Sequence, residues 1–190
     1  MKTKLLMLTF AMSCAFAGNA MALTKDEYKT QKDQISADYK VNRDKCGALK
    51  ATAKNVCVSE AKGTEKMAKA ELESQYKPSP KNTENVSLAK ADAAYDTAKE
   101  KCGDLSGNGK DVCIKDAKAA HVKAKEDAKV SRAESDTSKT KAEKMGDVKK
   151  SASEEKHEAD YTAAKVRCDS LAGAAKDTCL ADAKKKYDMK

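Results

Sequence analysis

The side chains best able to do chemistry are the seven cysteines, since a thiolate can attack, ligate a metal or oxidise to a disulfide. Six of them form three pairs of one spacing: Cys46 with Cys57, Cys102 with Cys113, and Cys168 with Cys179, each C-x10-C. A structural zinc site gathers ligands in close groups such as C-x2-C or H-x3-H, whereas each pair here offers two sulfurs only. A redox-active dithiol holds its sulfurs in C-x-x-C. His121 and His157 stand outside the pairs, and Met67 and Met145 share no regular spacing with them. A small-ligand or metal-ion site built from Met, His and carboxylates therefore has no repeated pattern behind it. The spacing predicts three local disulfides, and no metal, cofactor or catalytic residue.

The agreement between copies extends beyond cysteine. Tyr39, Tyr95 and Tyr161 each stand seven residues before the first cysteine of a pair, and Leu49, Leu105 and Leu171 three after it. Lys54, Lys110 and Lys176 follow at eight, and Ala61-Lys62, Ala117-Lys118 and Ala183-Lys184 keep a fixed offset from the second cysteine. The repeat is Tyr-x6-Cys-x2-Leu-x4-Lys-x2-Cys-x3-Ala-Lys. Internal repetition of this kind marks one supersecondary unit used three times.

A pair of helices explains the offsets. Tyr and Cys seven apart share a helix face. Loop chemistry follows the first cysteine, clearest at Gly103, Gly107 and Gly109 and at Gly173, where a left-handed cap would end the helix. Asn55, Asp111 and Asp177, two residues before the second cysteine, are expected in or near the first turn of the return helix, where carboxylates suit the helix dipole. Two antiparallel helices joined this way set the cysteines face to face. Tyr39, Leu49, Tyr95, Leu105, Tyr161 and Leu171 are then expected to pack the seams between helices. A disulfide closing about a dozen residues contributes about 3 kcal/mol. Six cysteines allow 15 connectivities, from which the repeat singles out the local three.

The segment 1–22 differs in kind from the rest. Lys2 and Lys4 precede an apolar run from Leu5 to Phe16, and Ala20 and Ala22 flank Met21 as the small residues of a cleavage site. This is the pattern of a secretory signal peptide cut after Ala22, too short for a conventional membrane span. Cys14 follows Ala11, Met12 and Ser13, a poor match to a lipoprotein signal, so it is expected to leave with the segment. Export implies the periplasm, an oxidising compartment in which disulfides persist.

Composition limits what remains. The net charge of +8 falls by two once Lys2 and Lys4 are removed. Both phenylalanines, Phe10 and Phe16, lie before the cut and there is no Trp. Large aliphatic residues are sparse, and at about 1.5–3 kcal/mol for each buried Leu they cannot build one thick core. Alanine and lysine dominate, both good helix formers. The charges are intermixed, as in the run from Lys123 to Lys129, and no aromatic residues interleave to stack on bases. That argues for a solvated helix surface rather than a nucleic-acid interface, while weak attraction to anionic envelope surfaces follows from charge alone.

The expected organisation is all-α: three disulfide-stapled antiparallel helical hairpins, extended or loosely packed, after a signal peptide. Thr24 and Glu27 form a capping box that opens the first helix. Hairpin repeats are placed at 23–77, 85–133 and 147–190. Linkers are placed at 78–84, where Pro78 and Pro80 are the only prolines, and at the polar stretch 134–146. No segment of the mature chain is apolar enough to span a bilayer.

The Lys/Ala-rich helical composition behind a signal peptide resembles proteins labelled TolA-like cell-envelope proteins. The C-x10-C repeat itself resembles proteobacterial periplasmic proteins carrying that label. The resemblance implies an envelope location and brings no activity with it. Thin hairpins offer little concavity for catalysis, there is no HExxH, and the glycines at 103–109 follow a helix rather than a strand, unlike a P-loop. The expected function is non-enzymatic: a structural or interaction protein of the envelope that meets a protein or an anionic surface through its charged helix faces.

Overall fold

The structure, a computed structural model, describes residues 23–135 and 141–189. The expected export signal, with Cys14, lies outside the described residues, as does 136–140 within the expected linker 134–146. Six helices follow in order: α1 (Lys25–Lys45), α2 (Ala51–Tyr76), α3 (Pro80–Lys101), α4 (Gly107–Glu134), α5 (Lys141–Cys168) and α6 (Gly173–Lys186). Short 3-10 turns at Cys46–Ala48 and Cys102–Asp104 join the first two pairs. Among the described residues there is no strand, and no helix is long and apolar enough to cross a membrane.

Local chemistry sets the helix ends. The Thr24 hydroxyl accepts from the Glu27 N–H at 3.3 Å, and a Glu27 carboxylate oxygen accepts from the Thr24 N–H at 2.8 Å, completing the capping box. The expected linker 78–84 shrinks to Pro78 and Ser79. Ser79 caps α3 by accepting from the Asn82 N–H at 3.1 Å, and Pro80 takes the first helical position. There the absent proline N–H would have lacked a partner in any case. The other expected linker also contracts, since α4 continues to Glu134 and α5 is under way by Lys141, carrying Gly146 inside a helix.

The chain runs up and down, each helix packed against its neighbours in sequence. Cross-helix ion pairs keep antiparallel register: Lys66–Asp92 (2.5 Å), Lys90–Glu71 (3.0 Å) and Lys101–Glu60 (3.6 Å) join α2 to α3. Lys123–Asp160 (2.7 Å) and Lys149–Glu134 (3.1 Å) join α4 to α5, as does Arg167–Asp116. The three cysteine turns consequently share one end of the array. The connections α2–α3 and α4–α5 share the other, which we call the proline end. The repeats are therefore not isolated hairpins: α2 and α3, from different copies, pack along their length.

Alanine builds the interior. Ala61, Ala89, Ala91, Ala93, Ala119, Ala128, Ala152, Ala163 and Ala183 are buried, and Leu72 is the one large aliphatic residue among them. Small side chains let helix backbones approach closely. A Cβ placed on Gly63 would lie 2.7 Å from the Ala93 Cβ, closer than such atoms can stand, so α2 has glycine where it meets α3. Alanine contributes little apolar area per residue, so the array depends on additional ties at both ends.

Candidate functional site

At the turn end the disulfides Cys46–Cys57, Cys102–Cys113 and Cys168–Cys179 are formed, with Cα–Cα distances of 5.6, 5.8 and 5.8 Å. Cys46, Cys102 and Cys168 are the largest fully buried side chains described. Each sits where its helix ends and meets the second cysteine in the opening turns of the return helix. Gly107 and Gly173 take the expected left-handed conformation, but in a different role. The left-handed residue begins the return helix instead of ending the outgoing one: Ala51 (φ 46°), Gly107 (φ 54°) and Gly173 (φ 56°) occupy the same repeat position. Asp111 and Asp177 stand in the second turn, not the first, and the first turns of α2, α4 and α6 carry no acidic residue.

The three repeat leucines depart from expectation. Leu49, Leu105 and Leu171 do not pack a seam; they are 41%, 46% and 42% exposed and, with Val41, are the exposed large apolar side chains among the described residues. The reason is the turn itself. Each leucine N–H donates to the carbonyl of the first cysteine at 3.0–3.1 Å, and Leu49 and Leu105 hold extended backbone conformations. Those constraints leave the side chains outside the alanine layer.

Tyr39, Tyr95 and Tyr161 are half-buried, with different companions. Arg43 lies over the Tyr39 ring and Lys165 over the Tyr161 ring, at 5.9 and 5.4 Å from the centroids. The Tyr95 ring stacks on His121 at 4.8 Å. His121 Nε2 lies 2.6 Å from Asp92, whose second oxygen takes Lys66. Burial alone would raise the Asp92 pKa, but the Lys66 and His121 hydrogen bonds outweigh it and leave it lowered. His157 stands apart, 3.9 Å from Asp188, and Met67 and Met145 are half-buried on α2 and α5. Among the described residues no three His, Cys, Asp or Glu side chains gather as a metal-ligand set.

The proline end carries a feature that the repeat does not announce. An open cleft of about 810 Å³ lies between α3, α4 and α5, lined in part by Glu84, Glu126, Lys129 and Arg132. Glu84 and Glu126 are buried, at 6% and 3% exposure. Glu84 accepts from Lys81 at 2.8 Å and Arg132 at 3.1 Å, and Glu126 accepts from Lys129 at 2.5 Å. Burial pushes the Glu84 pKa up, but Lys81 and Arg132 together outweigh it and hold the carboxyl below its usual range. The hydrogen bond to Glu126 raises the Lys129 pKa against the opposing effect of burial. The charges here neutralise one another, so the cleft is a structural ionic knot. On a helix wheel these glutamates look like any exposed acidic residue, and a lysine three positions away, as Lys81 and Lys129 are, is common on solvated helix faces.

No protein-family model matches the chain, and comparison with curated proteins and with solved structures yields no match.

Proposed function

We propose that this chain is a non-enzymatic, periplasmic interaction protein of the cell envelope, exported by removal of residues 1–22. The observation that carries this reading is an inversion of the usual burial pattern. A chain poor in large apolar residues builds its interior from alanine and leaves Val41, Leu49, Leu105 and Leu171 on the surface. Exposed apolar residues fixed by rigid turns, amid mixed charge, suit contact with a partner better than chemistry on a substrate. The oxidised cysteine pairs suit an exported protein, and the likeness to TolA-like envelope proteins points the same way. The partner class is an envelope protein or an anionic envelope surface.

The test is cross-linking in living cells from photoreactive residues placed at Lys62 and Lys118, which are exposed on α2 and α4. Discrete adducts with envelope proteins, or recovery of the chain with washed envelope, are expected. A chain that yields no adduct and separates wholly from the envelope would overturn the proposal.

A further inference from the structure

Two repeat residues remain unexplained by packing or by the disulfides: the leucine three residues after the first cysteine and the lysine eight after it. In all three copies they take the same places around the start of the return helix. Leu49, Leu105 and Leu171 sit just before the capping residues Lys50, Ser106 and Ala172, and Lys54, Lys110 and Lys176 sit at the fourth helical position. A hydrophobic staple joins two apolar side chains at these positions; here the second partner ends in a cation, and more than two fifths of each leucine stays in water.

The lysines stand where local electrostatics oppose them. The first turn of a helix carries the positive end of the backbone dipole and favours carboxylates, yet α2, α4 and α6 have no acidic residue there. Lys54 and Lys110 are exposed and make no ion pair among the described residues. The same is true of Lys50, beside Leu49. Lys176 pairs with Asp169 of its own turn at 2.9 Å. The up-and-down path puts all three turns at one end, where Gly103 of the second turn lies against Thr52 beside the first. That end presents three exposed leucines with Lys50, Lys54 and Lys110 exposed on the same turns, beside the acidic Asp104 of the second turn and the paired Lys176–Asp169 of the third.

We propose that the turn end docks on an anionic phospholipid bilayer, the leucines entering the interface and Lys50, Lys54 and Lys110 meeting lipid phosphates. This deepens the envelope reading above and rests on it. Charge complementarity favours lipid: cations in an unfavourable helix field are stabilised by an anionic surface. Geometry favours it too. The leucines come from three separate turns at one end of the array, and a flat interface meets each without a shape match. A second copy is a poor occupant, because three half-exposed leucines fall far short of the roughly 800 Å² per partner typical of a stable interface.

The experiment is co-sedimentation of the oxidised protein with vesicles of phosphatidylglycerol mixed with phosphatidylcholine, and with vesicles of phosphatidylcholine alone. Binding to the first and not the second is expected. Lys50→Gln/Lys54→Gln/Lys110→Gln should lower partition by about tenfold or more. Leu49→Ser/Leu105→Ser/Leu171→Ser should also lower it, with helix content by circular dichroism unchanged. Lys184→Gln/Lys185→Gln/Lys186→Gln, which removes equal charge at the far end of α6, should change it by less than about twofold. Equal losses from the two lysine triples, equal binding to neutral vesicles, or no binding would overturn the proposal. Envelope-protein adducts from Lys62 or Lys118 without vesicle binding would leave the broader interaction reading standing.

Discussion

The two ends of the array solve one problem in different ways. Both are places where an alanine interior leaves helices weakly held. The turn end uses covalent bonds: Cys46, Cys102 and Cys168 are fully buried and each is bridged to the helix that returns. The proline end uses charge: Glu84 and Glu126 are buried, with Lys81, Arg132 and Lys129 as partners. The first device is indifferent to pH and vulnerable to reductant. The second is indifferent to reductant and vulnerable to acid. The contrast teaches that an array poor in large apolar residues can add covalent ties at one end and buried charge pairs at the other to an alanine interior that runs between them.

The largest effect should come from the turn end. Cys102→Ser/Cys113→Ser should lower unfolding free energy by about 3 kcal/mol, read from denaturant midpoints with the other two bridges intact. A loss below about 1 kcal/mol would mean that the central turn is held by its helices and not by its sulfurs.

Next is the ionic knot. Lys129→Met removes the cation hydrogen-bonded to a carboxylate that is nearly inaccessible. It should destabilise by about 1–3 kcal/mol, since the buried Glu126 loses its partner while Lys129 itself is half exposed. Glu126→Leu/Lys129→Met should recover most of that loss, because an apolar side chain in place of Glu126 avoids desolvating its carboxylate. If the double variant is as unstable as the single one, Glu126 has a role other than pairing.

Acid should act on the proline end in proportion to its carboxylates. The Glu84 carboxyl is held below its ordinary value of 4.5. It therefore contributes stability above that value, and the contribution is lost as pH falls through the lowered folded value. Urea midpoints should be level from neutrality to about pH 5 and fall below it, with Glu84→Gln flattening part of the decline. A profile unchanged by Glu84→Gln would show that other carboxylates, such as Glu27 with its Thr24 hydrogen bonds, govern acid unfolding.

The smallest effect distinguishes the three turns from one another. Ala51 holds a left-handed conformation that Gly107 and Gly173 adopt at the same repeat position. Ala51→Gly should stabilise by about 1 kcal/mol, and Gly107→Ala should destabilise by a similar amount. Calorimetry of the two variants checks the signs, and a destabilised Ala51→Gly would contradict the equivalence of the turns.

What the sequence disclosed followed from what the repeat constrains. Equal C-x10-C spacing fixes the distance between two helices of one hairpin, so the pairing was legible, as was the Thr24–Glu27 capping box. The repeat says nothing about neighbouring hairpins. The close approach of Gly63 to Ala93 therefore stayed hidden, because alanine on an Ala-rich helix marks no particular face. Leu49, Leu105 and Leu171 were misplaced for a related reason. Leucine usually marks a seam, but here the turn holds it outside a layer too thin to receive it. Pro80 points to a linker because proline interrupts helices in their interior, whereas Ser79 makes it the first residue of α3. Buried Glu84 and Glu126 were illegible because their burial depends on three helices meeting, which no single-helix pattern encodes.

The most direct test of the account is the intact mass, native and denaturing, of the protein purified from its own cells. The expected mass is that of Leu23–Lys190 less six hydrogens, for the three disulfides, with no ligand retained. A chain that keeps residues 1–22 or bears lipid on Cys14 would contradict the proposed export, and one that carries thiols in place of the bridges would contradict the covalent stapling.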